Sequence, residues 1–338
     1  LTPLKFVNNS LRFRSSNSAY LTRTPTVTGN RTTWTWSGWL KRGILNNGEQ
    51  TIFNAGPNTS SADNFFGFRF EGDNLDITNA STDFRRTTAV YRDPAAWYHF
   101  MLVWDTTQAT STNRQKMYIN GVQVTSFSTA NYPALNTALQ SLSNTTTSGM
   151  GICGPSQYFD GYLAEINFID GQALTPSSFG KFNSATGVWQ PLKYTGTYGT
   201  NGFYLNFSNT TSTTTLGYDS SGNKNNWNTN NFSLTTGNTY DAMVDVPTLT
   251  SANVANYCVQ NPLTISIANP STLVWANMLQ TGNSGGYFQG GIQGTIGMTT
   301  GKFYWECTVT SLNTTNGYQF WGVAPNNYVV PSGNDATT

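Results

Sequence analysis

The chain has 338 residues, enough for two sandwich-sized domains, yet only 10% of them are charged, against ~25% in an ordinary soluble domain. A net charge of +1 excludes the basic field that would recruit nucleic acid or an anionic membrane surface. No apolar run approaches the ~20 residues of a membrane helix, and an aromatic content of 14% excludes a disordered polar chain.

Strand signals then follow one another, punctuated by Gly, Asn and Ser, with almost no helix signal. Thr33 to Lys41 alternates, placing Trp34, Trp36, Gly38 and Leu40 on one face and Thr33, Thr35, Ser37 and Trp39 on the other. Trp97 to Trp104 is apolar almost throughout, as a central strand covered on both faces should be. Met117, Ile119, Val122 and Val124 flank Asn120-Gly121, a hairpin signal because both turn positions require positive φ. Phe159 to Ile169 reads as a further strand, and Thr175-Pro176 opens one helical turn.

From about residue 190 the texture changes. Phe203 to Phe207 is a short strand, but Thr210 to Thr215 and Asn223 to Asn231 are polar low-complexity tracts. The expected organisation is a sandwich over 1–188, a Gly/Asn/Thr-rich connector over 189–250, and a second strand-rich unit over 251–338. In that last unit Lys302 to Thr310 gives the clearest alternation, with Phe303, Trp305, Cys307 and Val309 on one face. Nothing after Pro331 supplies further strands, so the polypeptide is expected to continue beyond Thr338 or to be covered by another chain. The chain starts without Met or a visible signal peptide, so its start is either processed or internal to a longer protein.

Three cysteines, Cys153, Cys258 and Cys307, form no disulfide framework and are expected to be buried thiols, with a single bridge as the alternative. Sequons such as Asn30-Arg31-Thr32 arise by chance in so Asn- and Thr-rich a chain. His99 is the single histidine, so a histidine metal cluster is impossible within one chain; its apolar neighbours Trp97, Phe100 and Met101 suit a structural role.

Several motifs together resemble the laminin-G-like branch of the concanavalin superfamily. They are Ser10-Leu11-Arg12-Phe13 with Ala19-Tyr20-Leu21, then Trp36-Ser37-Gly38-Trp39-Leu40-Lys41, Trp97-Tyr98-His99-Phe100, Met117-Tyr118-Ile119-Asn120-Gly121, and Phe159-Asp160-Gly161-Tyr162-Leu163-Ala164-Glu165-Ile166, in that order. The resemblance implies an all-β jelly-roll sandwich. The wording from Tyr158 to Leu174, followed by Gly199 to Leu205 and Leu216 to Asn223, resembles a block found in tail-fibre and particle proteins of marine phages, cyanophages among them. Gly301 to Glu306 and Trp321 to Ala324 are similar to strands of a SPRY domain, another concanavalin-like sandwich.

The resemblance implies a non-catalytic virion protein, extracellular or particle-borne, that holds a host-surface glycan or neighbouring particle proteins. By analogy with phage fibres it would be a homo-oligomer, a trimer. The alternatives are a glycan-processing enzyme of the same fold and a secreted lectin. The enzyme reading needs two carboxylates on one face, but the four glutamates Glu49, Glu71, Glu165 and Glu306 lie in different strands, and Asp73 and Asp76 fall in a turn on opposite faces.

The relatives' calcium is doubtful here, because the position before Glu165 is Ala164 and the loop Arg14 to Ser18 is acid-free. A second cation candidate is Asp219, Ser221, Asn223 and Asn225, alternating like half a calcium loop but lacking its Gly and terminal Glu; an Asx-turn connector is the competing reading. No other cofactor is implied. The loop aromatics Tyr20, Tyr132, Tyr158 and Tyr198 are candidates for a glycan platform, and Arg85-Arg86 reads as a solvated loop.

Overall fold

The computed structural model of the chain describes residues 4–56, 65–79, 82–139, 142, 145, 149–264, 272–274, 279–281, 291–309 and 322–325. In chain order the strands are β1 (Ser10–Phe13), β2 (Tyr20–Arg23), β3 (Thr33–Arg42), β4 (Glu49–Ala55), β5 (Phe66–Glu71), β6 (Asn74–Asn79), β7 (Thr82–Val90), β8 (Tyr98–Asp105) and β9 (Gln115–Ile119). They continue as β10 (Val122–Gln123), β11 (Phe127–Ala130), β12 (Met150–Ile152), β13 (Gly161–Asp170), β14 (Gly180–Phe182), β15 (Trp189–Pro191), β16 (Phe203–Leu205), β17 (Asn228–Asn230), β18 (Ala242–Met243), β19 (Thr272–Val274) and β20 (Leu279–Thr281). Helix among the described residues is confined to short 3-10 turns.

Two antiparallel sheets face each other. The first runs β10-β9-β8-β3-β13-β1-β18, with β16 also on β13; the second runs β11-β7-β6-β5-β4-β12-β2-β17. Alternation puts Trp34, Trp36 and Leu40 of β3 inside, against Phe53, Phe66 and Phe68 of the second sheet. Trp34 stacks on Trp104 with ring centroids 5.7 Å apart, and Trp36 meets Phe68 edge-on at 5.4 Å. Met117 and Leu163 are buried as the pattern requires, and Ile119 is half-buried against the same core. The Asn120-Gly121 hairpin forms, with φ of 48° and 80°; a Cβ at Gly121 would lie 2.4 Å from Trp189, which packs over this turn.

The outer face of the first sheet is covered. Trp39, Tyr162 and Ala164 pack under Val7, Trp189, Val246 and Val259, while Met101, Val103 and Ile169 pack under Phe179 and Tyr194. Buried ion pairs fasten this cover: Arg12 and Arg14 on Asp241, and Lys41 on Asp245. Both apolar clusters outside the main core lie on this sheet, so among the described residues no comparable layer covers the outer face of the second sheet.

The structure corrects three expectations. Residues 189–250 are not a connector, because β16 and β18 complete the first sheet and β17 extends the second, with Phe203, Leu205, Leu216 and Trp227 in the main core. The sandwich therefore does not close within the first 188 residues. Sparse aromatic anchors hold this segment although its sequence is mostly polar. Residues 302–309, read as a strand, pair with nothing among the described residues and are exposed, Tyr304 to 84%. Alternation makes a strand only where a neighbour supplies the ladder. In the second SPRY-like stretch Gly322, Val323 and Ala324 are likewise exposed and outside any strand, while Trp321 and the chain end after Pro331 lie outside the described residues. Of the three free cysteines only Cys153 is buried; Cys258 and Cys307 are exposed.

Candidate functional site

The candidate site is the outer face of the second sheet. Period-2 alternation turns Phe66, Phe68 and Phe70 of β5 into the core and leaves Gly67, Arg69 and Glu71 outside. On β6, Leu75 and Ile77 point in, and Asn74, Asp76 and Thr78 point out. Register aligns Glu49 with Glu71, Arg69 with Asp76, and Asp76 with Arg86. A charged ladder thus crosses four strands. Arg69 reaches Glu49 at 2.6 Å and Asp76 at 3.0 Å. Arg86 pairs with Glu71, and with Asp83 at 3.0 Å. Asp76 is fully buried, and burial pushes its carboxyl up to about 6, with Asp83 adding to the effect and the two arginines opposing it.

Glu71, Asp76 and Asp83 bring carboxylate oxygens within 4.8 Å of one another. Two guanidiniums already engage the carboxylates of this cluster, Arg69 on Asp76 and Arg86 on Glu71 and Asp83. The carboxylates are also closer than the ~5–9.5 Å of glycosidase pairs, and the central one is sealed from solvent.

Beside the ladder the face becomes neutral. Gln157 binds Glu49, and its carbonyl accepts the Thr51 N–H at 2.7 Å. The next residue, Tyr158, packs on Tyr20 of β2 with ring centroids 5.8 Å apart. Register places Asn228 opposite Thr22 and Asn230 opposite Tyr20, which adds amides to this face. The loop that presents Tyr158 is tightly specified. Cys153, Ser156 and Gln157 have φ of 62°, 57° and 50°, a left-handed conformation uncommon outside glycine. A Cβ at Gly151 would meet Asn54 Oδ1 and the Gly154 carbonyl, each at 2.1 Å.

Of the four candidate tyrosines, only Tyr20 and Tyr158 come together. Tyr132 lies over the Arg85 guanidinium at 4.0 Å. Tyr198 meets Tyr194 edge-on at 5.1 Å on the other sheet, and its hydroxyl donates to Asn167 at 3.0 Å. Arg85 and Arg86 are not a solvated loop: both sit on β7, Arg85 buried between Phe127 and Tyr132, and Arg86 in the ladder. The sequence did not give the ladder, because it depends on the register in which four strands pair.

Asp219, Ser221, Asn223 and Asn225 form a closed turn. The Asp219 oxygens accept from the backbone N–H groups of Tyr204, Ser221 and Asn225, each at 2.8 Å, and from the Ser221 hydroxyl at 2.8 Å. Both asparagine amides donate to the Gly202 carbonyl at 2.9 Å, and Arg23 donates to the Asn225 oxygen. The local positive charge is therefore Arg23, and these residues do not fit a calcium ion. At the rim position implied by the resemblance, Ala164 supplies no carboxylate and the Arg14 to Ser18 loop no acid. Asp160 is the acid beside the Ser15 loop, and its Oδ2 is taken by the Ser15 N–H at 3.1 Å and hydroxyl at 3.0 Å.

His99 is buried between Trp39 and Trp189, with Nε2 2.8 Å from the Ser37 hydroxyl. Burial pushes its pKa down from 6.5 to about 3. Between those values only the unfolded state binds the proton. The histidine's contribution to stability is therefore intact above about 6.5 and is lost as the pH falls toward 3. The imidazole NMR signals of this single histidine are expected to show no titration from pH 8 to pH 5; a midpoint near 6.5 would place the ring in solvent.

Residues 14–178 match the sequence profile of the family described as the concanavalin A-like lectin/glucanases superfamily, of laminin-G type. No curated protein matches the chain. Among solved structures, the native heptameric SAP-like pentraxin from Limulus polyphemus is similar at 20% identity and a TM-score of 0.36, over 51% of this chain and 80% of that one. Mouse laminin α1 domains LG4-5 are similar at 12% identity and a TM-score of 0.35, over 58% and 47% of the two chains. A Ruminococcus gnavus sialidase CBM40, bound to α2,3-sialyllactose, is similar at 14% identity and a TM-score of 0.29, over 40% and 73%. The paired antiparallel sheets, with the profile match over residues 14–178, give the chain an all-β jelly-roll sandwich of concanavalin/laminin-G-like fold.

Proposed function

We propose that the chain is a non-catalytic glycan-binding module of a phage-type particle. The observation that carries this is the contrast between the two sheets. One is sealed by packed apolar side chains; the other presents half-buried Tyr20 and Tyr158 beside Gln157, Asn228 and Asn230. Aromatic faces stack on sugar C–H groups, and amides satisfy hydroxyls in both directions. The absence of catalysis is supported by the ladder's geometry, since its central carboxylate, Asp76, is sealed from solvent and therefore from a substrate. The particle setting is supported by the wording of Tyr158 to Asn223, and the same wording supports assembly as a homo-oligomer, with other particle proteins as further partners.

The purified chain is expected to bind at least one class of oligosaccharide on a printed array and to leave it uncleaved when the products are separated by chromatography. Cleavage would favour the enzyme reading. Absence of the chain from purified particles, judged by mass spectrometry, would remove the virion assignment.

A further inference from the structure

We infer that the outer face of the second sheet selects a neutral glycan, stacking it on Tyr20 and Tyr158 and turning acidic sugars away with the adjoining ladder. This rests on the glycan-binding reading above and adds the location and ligand class.

The charge balance supplies the selectivity. The ladder holds four carboxylates, Glu49, Glu71, Asp76 and Asp83, against two guanidiniums, Arg69 and Arg86, which leaves two negative charges. The arginines are committed: Arg69 and Arg86 each touch several of these carboxylates, and their side chains are only 10% and 28% exposed. The outermost groups are instead the acids, with Glu49, Glu71 and Asp83 exposed to 37%, 34% and 32%. A sialic acid or uronate lying across the face would set its carboxylate against these groups, whose two arginines are already paired. Such like-charge juxtaposition is how a binding face rejects a wrong ligand.

Continuity supplies the path. Thr51 and Gln157 bridge Glu49 to Tyr158, and Tyr158 lies against Tyr20, so the aromatic pair and the acids border one strip of the sheet. Both residues remain half-buried. The strained loop from Cys153 to Gln157 fixes Tyr158 before any ligand arrives, which limits the ordering entropy lost on binding.

The test is an array of neutral cello-, manno-, galacto- and chito-oligosaccharides beside sialylated and uronate-containing ones, probed with the full chain. Titration calorimetry with the strongest neutral binder follows. Tyr158→Ala is expected to weaken that binder about tenfold, and Tyr158→Phe to retain it. Acidic oligosaccharides are expected to bind at least about tenfold more weakly than neutral ones of matched backbone, and Glu49→Gln with Asp83→Asn to narrow that gap. Acidic sugars binding as well as neutral ones, or a folded Tyr158→Ala binding like the wild type, would overturn this inference and leave glycan binding standing. Silence across the whole array would overturn both.

Discussion

Replacing Lys41 with Met is expected to destabilise the protein by about 3–5 kcal/mol, the usual result of stranding one member of a buried ion pair. The Lys41 ammonium is sealed from solvent and donates to Asp245 at 2.8 Å, the Asn256 oxygen at 2.8 Å and the Tyr257 carbonyl at 2.6 Å. Burial pushes Lys41 down and Asp245 up, so each charge is unfavourable alone and is held by the other. Asp245 also accepts the Trp97 indole N–H at 2.9 Å, so its loss of a cation would be felt where the cover meets the first sheet. Urea unfolding should show the drop in midpoint. Lys41→Met combined with Asp245→Leu should recover only part of it: the uncompensated carboxylate is gone, but the Trp97 indole N–H and the Tyr257 carbonyl have lost their partners. A single variant within 1 kcal/mol of wild type would mean that water reaches the pair.

Trp227→Ala is expected to cost about 3–5 kcal/mol, as truncation of a core aromatic does. Trp227 is 1% exposed and meets Phe203 edge-on at 4.8 Å, inside the core shared by both sheets. A connector tryptophan would change stability by ~0.5 kcal/mol or less. The same unfolding measurement therefore decides whether residues 189–250 belong to the sandwich. Cooperative loss of the whole transition is the expected outcome, and a change confined to a minor early phase would falsify the extended sandwich.

Much of the fold was legible in the chain itself. Alternation in Thr33 to Lys41 correctly placed Trp34, Trp36 and Leu40 inside, since a strand has only two faces and one of them must be dry. The Asn120-Gly121 turn was readable because few residues tolerate positive φ at both positions. The ladder was not readable. Alternation says that Arg69, Asp76 and Arg86 each point outward from their own strands. It does not say that those strands are neighbours in this register, and the pairing of Tyr20 with Tyr158 depends on a loop held in left-handed conformations. The polar stretch from 189 to 250 hid its membership of the core because a few aromatics, spaced among Asn and Thr, bury enough area to hold it. Local pattern thus determined which side of each strand is dry. Strand order, register and cover, which arise only when distant segments pack together, decided which dry sides share a core and which wet sides form one surface.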